Sequence, residues 1–330
     1  MRDTSIEAKI LEQGTRIDPL LAELLPADGP AHLTEHVAYH METVGKRIRP
    51  ALCLLTCEAL GGNSEAAIPF AAAVELLHNM FLLHDDIQDG DEMRRNQPSL
   101  WKAFGVGNAI NAGDYLLGRA LQAVLRCPAG DAVRLKLLRL FLDTYERTVE
   151  GQALDLNARS DPHWGVERYM VMAELKTGHY LALGMIGGAI LADAPEATVQ
   201  CLRRMGENMG PAFQIRDDTI DLTAGKGRGG VKGCDIREGK PSILYAHALS
   251  HSMPAEQERL LQIMACPRGR TTDEDVAWVE TLYERCGSVA FARETADKLI
   301  GHALDVLREM PVEQQSALRG LVTYMAERTT

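Results

Sequence analysis

Apolar residues along this chain recur at helical rather than alternating spacing. Four long stretches carry the pattern most clearly: residues 71–83, 116–125, 135–156 and 169–191. Runs of Val, Ile and Thr, which favour strands, are almost absent, and aromatic residues make up only 5% of the chain. The pattern therefore predicts an all-α protein.

Gly and Pro residues collect between the apolar stretches and indicate where helices end. These breaks fall at residues 27–30, 61–64, 90–98, 127–130 and 160–165. No repeat of fixed period and no linker long enough to separate domains is visible, so residues 1–330 are predicted to form a single domain. We interpret this domain as one large helical bundle with its functional loops at one end.

Composition and charge exclude several classes of protein. At 330 residues with 46% hydrophobic content the chain can bury a sizeable core, and its net charge of −11 argues against nucleic-acid binding. The seven Cys residues include no metal-type Cys-x-x-Cys pair, which suits a reducing cytosol. Because the N-terminus lacks an apolar signal core and no run of 18 apolar residues occurs, we expect a cytoplasmic protein without a membrane span.

Two acidic runs with the pattern Asp-Asp-x-x-Asp are the most informative feature of the sequence. They extend from Asp85 to Asp89 and from Asp217 to Asp221, and each follows an apolar helical stretch. Helix positions four apart lie on one face, so each run would place its first and last carboxylates side by side. Carboxylates this close repel unless a cation lies between them, and an all-oxygen ligand set favours Mg²⁺.

Basic residues near these runs suggest sites for anions. Three cations lie within the segment from Gly45 to Pro50, and Arg94 and Arg95 follow the first acidic run. Arginine suits bidentate contacts with phosphate, and a helix start adds free backbone N–H groups. Two single residues are less specific. Lys176, inside an apolar helix, is taken alone more consistent with snorkelling to the surface. His78, two turns before the first run, fits a core residue as well as a ligand contact.

The residues together indicate a reaction of two phosphorylated, apolar substrates. A divalent metal with Arg and Lys around a polyphosphate stabilises the departure of diphosphate. No Ser–His or Cys–His nucleophile pair and no Gly-x-x-x-x-Gly-Lys phosphate loop is visible in the sequence. Two separate basic sets suggest two substrates, and the apolar helices supply a pocket for a hydrocarbon. The sequence thus predicts Mg²⁺-assisted ionisation of one apolar diphosphate and its attack by a second diphosphate-bearing molecule.

A series of short motifs runs in order from Gly45 towards the C-terminus. They are Gly-Lys-Arg-x-Arg-Pro (45–50), Glu-Leu-Leu-His (75–78), His-Asp-Asp-x-x-Asp (84–89), Arg-Arg (94–95), Gly-Asp (113–114), Gly-Gln-x-x-Asp-Leu (151–156), Lys-Thr (176–177), Phe-Gln-x-x-Asp-Asp-x-x-Asp (213–221) and Asp-Ile-Arg-Glu-Gly-Lys (235–240). The chain resembles the trans-isoprenyl diphosphate synthases of the polyprenyl synthetase family. The resemblance implies the all-α isoprenoid synthase fold, a helical bundle around a central active-site cavity, and normally a homodimer.

The resemblance also implies roles for individual residues. It implies that Mg²⁺ is bound by Asp85, Asp89 and Asp217, and that Asp86, Asp218 and Asp221 support these ligands or contact metal-bound water. It implies that the allylic diphosphate is held by Arg94, Lys176 and Lys240, with Lys176, Thr177 and Gln214 near the reacting centre. It implies that isopentenyl diphosphate is held by Lys46, Arg49, His78 and Arg95. The allylic substrates would be dimethylallyl and geranyl diphosphate, and farnesyl diphosphate if the product is C20.

One loop departs from the family pattern. The family usually has a Lys four or five residues before the position of Asp235, where this chain has Gly230 and Val231. The missing charge could come from Lys226, Arg228 or Lys232, of which we favour Lys232.

Product length is predicted from the helix that carries the first acidic run. Phe81 lies one turn before Asp85, about 6 Å lower on the same face, with Met80 beside it and Leu77 a further turn below. In the family, bulky residues at these positions shorten the product. We therefore expect farnesyl diphosphate (C15), with geranylgeranyl diphosphate (C20) as the alternative because Met is deformable. Phe81 could instead simply pack against a neighbouring helix.

Two other functions remain as alternatives. A class I terpene cyclase also uses Mg²⁺ and an Asp-Asp-x-x-Asp run, but it normally has a different second motif and needs no isopentenyl site. A non-catalytic subunit of a heteromeric synthase would tend to lose its acidic motifs. Both acidic runs are intact in this chain, so we favour the prenyltransferase.

Overall fold

The computed structural model describes residues 4–43, 45, 47–161, 163–223, 232–267 and 270–327. In the first half of this range the helices are α1 (Thr4–Thr15), α2 (Asp18–Leu24), α3 (Ala31–Glu42), α4 (Ile48–Ala59), α5 (Ser64–Asp89), α6 (Leu100–Phe104), α7 (Val106–Leu125) and α8 (Asp131–Asn157). In the second half they are α9 (Val166–Ala173), α10 (His179–Leu191), α11 (Glu196–Thr223), α12 (Cys234–Arg237), α13 (Ile243–His251), α14 (Pro254–Met264), α15 (Asp273–Arg285), α16 (Ser288–Leu307) and α17 (Val312–Glu327). The all-α prediction is confirmed.

Two departures from regular α-helix lie at predicted functional segments. A hairpin of two short antiparallel strands, β1 (Met93–Arg94) and β2 (Gln97–Pro98), follows the first acidic run. A π-helical segment, Glu174–Gly178, separates α9 from α10. The stretch 169–191 is therefore not one uninterrupted α-helix, and the interruption falls on Lys176.

Residue contacts divide the chain into two compact units. Unit 1 comprises Met1–Asp143, Leu183–Leu202 and Met310–Leu321, and unit 2 comprises Thr144–Ala182, Arg203–Glu309 and Val322–Thr330. The first acidic run belongs to unit 1 and the second to unit 2. The expectation of a single domain over residues 1–330 stays a prediction.

Unit 1 is built around α5, which packs mainly against α7 and α4. Asn63 caps the start of α5 by accepting a hydrogen bond from the backbone N–H of Glu65, and Gly90, with φ 67°, ends the helix just after the acidic run. Among the described residues, α5 is the one helix long and apolar enough to cross a membrane. Because 67% of its most apolar window is buried within the protein, it has the environment of a core helix.

Unit 2 has its own core around α13, whose apolar residues are buried against α9, α15 and α16. Three tyrosines, Tyr169, Tyr245 and Tyr283, are among its largest fully buried side chains. Their bulk fills the core, and a buried phenol group needs a hydrogen-bond partner. For Tyr169 that partner belongs to the second acidic run.

Candidate active site

The first acidic run forms the last turn of α5. Asp85 and Asp89 are half-buried, whereas Asp86, on another face of the helix, is 1% exposed. The helix continues through Asp89, so Asp85 and Asp89 lie one turn apart on one face, as the sequence predicts. This pair offers carboxylate oxygens at the surface of unit 1.

The buried Asp86 is held by Arg94 of the hairpin. Arg94 donates to Asp86 Oδ1 from Nε at 2.8 Å and also from a terminal nitrogen, and a terminal nitrogen lies 3.7 Å from Asp91 Oδ2. Burial raises the pKa of Asp86, although Arg94 opposes that shift. Burial would lower the pKa of Arg94, but the contact with Asp86 outweighs it and the pKa is raised. Arg94 therefore stays charged beside the acidic run.

The hairpin turn places the second arginine. Arg95 and Asn96 are the two turn residues, with φ of 50° and 68°, as in a type I′ turn. Arg95 is exposed and donates to the backbone carbonyl of Thr43. This contact brings Arg95 to the segment that precedes α4.

Three of the four residues predicted to hold isopentenyl diphosphate share one environment in unit 1. Burial lowers the pKa of His78 well below its usual value, and the positive charges of Arg49 and then Arg95 lower it further. His78 is therefore a neutral imidazole close to two guanidinium groups. Lys46, the fourth predicted residue, lies outside the described residues.

The second acidic run, in α11 of unit 2, has a different character. Asp217 is half-buried, but Asp218 is 1% exposed and its carboxylate accepts hydrogen bonds from four groups. These donors are the Tyr169 hydroxyl at 2.8 Å, Gln214 Nε2 and Lys240 Nζ, both at 3.1 Å, and the backbone N–H of Ile243 at 3.2 Å. A carboxylate has about four lone-pair sites, so protein donors satisfy Asp218.

Asp221 is also turned into the protein. It is 0% exposed, and its Oδ2 accepts a hydrogen bond from the backbone N–H of Asp235 at 2.9 Å. The backbone carbonyl of Asp221 accepts another from the N–H of Gly233 at 3.2 Å. Asp221 therefore ties the segment around α12 to the end of α11, while Asp217 is the more accessible carboxylate of this run.

Lys240 lies between two carboxylates of unit 2. Its Nζ is 3.1 Å from Asp218 Oδ1 and 3.6 Å from Asp235 Oδ2. Burial alone would lower the pKa of Lys240, but Asp218 and Asp235 raise it well above its usual value. A permanently charged ammonium group therefore accompanies the second acidic run. Lys232, the predicted replacement for the family's loop lysine, is exposed, and Lys226 and Arg228 lie outside the described residues.

The π-helical segment positions Lys176 and Thr177 of unit 2. Lys176 Nζ lies 2.6 Å from Asp155 Oδ2, so this lysine pairs with a carboxylate instead of snorkelling freely. Thr177 Oγ1 donates to Gln214 Oε1 at 3.5 Å, and the amide of Gln214 bonds Asp218 at its other end. These contacts link Thr177 to the second acidic run through one amide side chain. Single-turn π-helices are frequent at functional sites.

A glycine allows another helix to approach this segment closely. A Cβ atom on Gly151 of α8 would lie 2.3 Å from the backbone nitrogen of Lys176, a distance that real Cβ atoms do not tolerate. Gly151 is the first residue of the Gly-Gln-x-x-Asp-Leu motif, and Asp155 of the same motif pairs with Lys176. The motif thus supplies both the space and the counter-charge for Lys176.

The residues predicted to limit product length lie where the sequence places them on α5. Leu77 and Met80 are 0% and 1% exposed, and Phe81, one turn before Asp85, is half-buried. Their effect on the product stays a prediction.

The accessible carboxylates suit a hard divalent cation, although they form no complete metal site. Among the described residues, no group of three or more His, Cys, Asp and Glu side chains is arranged to hold a metal ion. The buried Oδ2 of Asp86 has no hydrogen-bond partner among those residues. Buried polar atoms normally have a partner, so this oxygen fits a hydrogen-bond donor supplied by a bound group. The carboxylate oxygens of Asp85 and Asp89 in unit 1, and separately those of Asp217 in unit 2, are of the ligand type that Mg²⁺ prefers.

The sequence analysis gave no role to several residues that have buried polar contacts in the structure, although three of them stand in the motifs quoted above. They are Arg47, Glu75, Asn79, Tyr169 and Asp235, each buried and hydrogen-bonded or ion-paired. The signal for Glu75 and Asn79 was present, because they are polar residues four positions apart within the apolar-rich stretch 71–83. The partners of Tyr169 and Asp235 are far away in the sequence, so no local pattern reveals them.

Comparison with known proteins identifies the family. The sequence profile of the family described as polyprenyl synthetase matches residues 30–283. A geranylgeranyl diphosphate synthase of Methanosarcina mazei is 33% identical over 97% of both chains, and a (2E,6E)-farnesyl diphosphate synthase of Mycobacterium bovis is 30% identical over 94% of this chain and 90% of the relative.

The fold is shared as well. The crystal structure of geranylgeranyl pyrophosphate synthetase from Pyrococcus horikoshii is 34% identical, covers 98% of each chain and superposes with a TM-score of 0.90. The expected isoprenoid synthase fold is therefore confirmed. The chain belongs to the polyprenyl synthetase family and is an isoprenyl diphosphate synthase, that is, a trans-prenyltransferase.

Proposed function

We propose that this prenyltransferase uses Mg²⁺ to condense isopentenyl diphosphate head-to-tail with an allylic diphosphate, giving a short all-trans product. The observation that carries the proposal is the pairing of accessible carboxylates with fixed cations in each unit. In unit 1 Arg94 is held beside the run that contains Asp85, and in unit 2 Lys240 is held beside the run that contains Asp217. Such sets suit a diphosphate that carries divalent cations.

Each predicted residue then has a chemical role. Asp85, Asp89 and Asp217 would hold the metal, which when bound neutralises the allylic diphosphate and makes it a better leaving group. Arg94, Lys176 and Lys240 bind the diphosphate oxygens and keep the leaving group oriented. Thr177 and Gln214 lie beside Lys176 and Asp218 and position the reacting end of the substrate.

The reaction proceeds without a dedicated protein base. The bond between the allylic carbon and oxygen breaks, the electron pair leaves with diphosphate, and the double bond of isopentenyl diphosphate attacks the allylic cation. The new cation then loses a proton to the released diphosphate, which restores a double bond. Arg49, His78 and Arg95 hold the second substrate. The imidazole of His78 is neutral, so it binds as a hydrogen-bonding group and the charge comes from the arginines.

Two product lengths have specific support. Phe81 and Met80 on the turn before Asp85 favour the C15 product, farnesyl diphosphate. The names of the relatives favour the C20 product, because several are geranylgeranyl diphosphate synthases. Purified protein incubated with Mg²⁺, isopentenyl diphosphate and each allylic diphosphate of C5, C10 or C15 distinguishes them by chain length. Absence of any elongation would contradict the proposed function, and a cyclic hydrocarbon product would indicate a terpene cyclase.

A separate test can identify the residue that replaces the family's usual lysine in the loop before Asp235. We propose that Lys232 contributes to binding of the allylic diphosphate in place of the usual family lysine. The variant Lys232→Ala should then raise KM for the allylic substrate several-fold, while Lys226→Ala leaves it within twofold. The reverse result would assign the charge to Lys226.

We propose a homodimer, supported by an exposed apolar stripe on α8. Leu135, Leu142 and Val149 are 48%, 38% and 45% exposed and recur every seven residues, the spacing of a helix seam that packs against another helix. Light scattering after gel filtration should give twice the chain mass. Leu142→Glu should give monomers, whereas Leu11→Glu, on an exposed position of α1, should not. We also propose a cytoplasmic location, in keeping with cysteines that form no disulfide among the described residues.

A further inference from the structure

A chain of buried polar residues lies beneath the segment between α3 and α4 in unit 1. Arg47, 8% exposed, donates to Glu75 Oε1 at 2.7 Å, and Glu75 is itself only 2% exposed. Asn79 donates from Nδ2 to the same oxygen at 3.1 Å and to the backbone carbonyl of Glu75 at 2.8 Å. One carboxylate oxygen thus anchors two side chains from different parts of unit 1.

The donor and acceptor of each hydrogen bond can be assigned from Glu75 through Asn79 to His40 in α3. Because Asn79 donates from its nitrogen, its Oδ1 is an acceptor, and it lies 3.1 Å from His40 Nε2. His40 Nε2 must therefore carry the proton. Burial lowers the pKa of His40 to about 4, helped by the nearby charges of Arg95 and Arg94, so the ring is neutral near pH 7. The result is one oriented chain from His40 through Asn79 to Glu75.

The hairpin also contacts two described residues between α3 and α4, Thr43 and Gly45. Arg95 donates to the carbonyl of Thr43, and a Cβ atom on Gly45 would lie 2.7 Å from Arg95 Nη2. Arg47 and Arg95 both have left-handed backbones, with φ of 49° and 50°. Such conformations are unfavourable for non-glycine residues, so surrounding contacts must hold them. Glu75 supplies that contact for Arg47.

We propose that Glu75 is a positioning residue for the second substrate site. By fixing Arg47, it holds the backbone that leads into α4 so that Arg49, together with His78 and Arg95, keeps the geometry that binds the diphosphate of isopentenyl diphosphate. This inference rests on the proposed function of those three residues. Glu75 does not touch the substrate and acts through Arg47, the residue immediately before α4.

A purely electrostatic role for Glu75 predicts an effect of opposite sign. A negative charge near an anion-binding set weakens anion binding, so its removal should tighten the complex. A positioning role predicts weaker binding, because loss of the charge weakens the 2.7 Å contact with Arg47 and leaves Arg47 to the more exposed carboxylate of Asp18, 3.3 Å away. The direction of the change in affinity therefore separates the two roles.

The test compares Glu75→Asp and Glu75→Gln with the wild-type enzyme. The first variant keeps the charge but withdraws the carboxylate by one methylene group, and the second keeps the size but removes the charge. Both should raise KM for isopentenyl diphosphate at least fivefold, while KM for the allylic substrate and kcat stay within twofold. Titration calorimetry with isopentenyl diphosphate in EDTA should show the same loss of affinity without any turnover.

Glu65→Gln is the matched control, since it makes the same change at an exposed position of the same helix and should alter neither constant. An unchanged or lower KM for isopentenyl diphosphate in Glu75→Gln overturns the inference, as does an equal rise in both KM values. If Glu75→Asp does not fold, the isosteric Glu75→Gln decides. Failure of the wild-type enzyme to bind or elongate isopentenyl diphosphate would instead overturn the proposed function.

Discussion

Tyr169 donates its phenol hydrogen bond to Asp218 Oδ2 at 2.8 Å, and both side chains are buried in unit 2. Tyr169 is therefore one of the residues that hold the second of the three aspartates in the second acidic run. Burial raises the pKa of Tyr169 well above its usual value, and the negative charge of Asp218 raises it further. The phenol therefore stays protonated and remains a donor near neutral pH.

Removing that hydroxyl should weaken the fold measurably. Tyr169→Phe keeps the ring but leaves Asp218 Oδ2 with one donor fewer, and a buried hydrogen bond to a charged acceptor contributes about 1.5–3 kcal/mol. Urea unfolding should show a loss of this order. The control Tyr39→Phe, which removes an exposed bond to the carbonyl of Pro98, should change the free energy of unfolding by less than about 0.5 kcal/mol. Equal effects of the two substitutions would contradict the structural role of Tyr169.

Substitution of the neighbouring residues Asp217 and Asp218 should affect the free energy of unfolding to very different extents. Asp218 is satisfied by four protein donors, so Asp218→Asn should destabilise the protein by about 3 kcal/mol as Lys240 loses the nearer of its two charged partners. Asp217 is half-buried, so Asp217→Asn should leave the free energy of unfolding within about 0.5 kcal/mol. Thermal and urea unfolding of the two variants measure this difference. A stable Asp218→Asn protein would show that the donors do not depend on the charge.

The buried His40 should make stability depend on pH. Its pKa is about 4 in the folded protein, mainly because of burial, and about 6.5 in the unfolded chain. The unfolded state therefore binds a proton first as the pH falls, and stability is lost between pH 6.5 and pH 4. Between pH 7 and pH 5 the loss from this residue should be about 2 kcal/mol.

His40→Gln isolates that contribution, because glutamine can still donate to Asn79 Oδ1 but does not titrate. Urea unfolding at pH 7 and pH 5 should show a smaller loss of stability for the variant than for the wild-type protein, by about 2 kcal/mol. The same pH dependence in both proteins would exclude His40 as its source.

Product length should change when the half-buried ring before the first run is removed. Phe81→Ala opens space one turn below Asp85 and should lengthen the main product by at least one five-carbon unit. Leu82→Ala, at the next position on a different face of α5, should leave the product unchanged. Chromatography of the dephosphorylated products gives the chain lengths. An unaltered distribution for Phe81→Ala would mean that this ring serves only to pack the helices.

Much of the fold and part of the site could be predicted from local sequence. The helical spacing predicted α5, α7, α8 and α11, and the Asp-x-x-x-Asp spacing correctly placed Asp85 and Asp89 on one helix face. The contrast between Asp217 and Asp218 was not predictable, because it depends on Tyr169 and Lys240, which reach the run from other elements. The close approach of Gly151 in α8 to the π-helical turn at Lys176 was not predictable either, because it joins two segments that are separated in the sequence.

Arg47 shows the same limitation in unit 1. As one of three cations in four residues, it looks like its neighbours in the sequence. In the structure it is buried against Glu75, 28 positions away, whereas Arg49 and Arg95 lie around His78. Sequence charge alone does not distinguish a cation that organises the site from one that is available to a substrate.

The central claim is that Asp85 and Asp217 hold the metal that elongation requires. The most direct test measures elongation by the Asp85→Asn and Asp217→Asn variants with Mg²⁺ and radiolabelled isopentenyl diphosphate. Wild-type protein should elongate an allylic diphosphate, and should lose this activity in EDTA. Each variant should fold normally and lose at least about 100-fold in kcat, more than the removal of a residue that only supports a metal ligand. Wild-type activity in either variant, or elongation that continues in EDTA, would contradict the account.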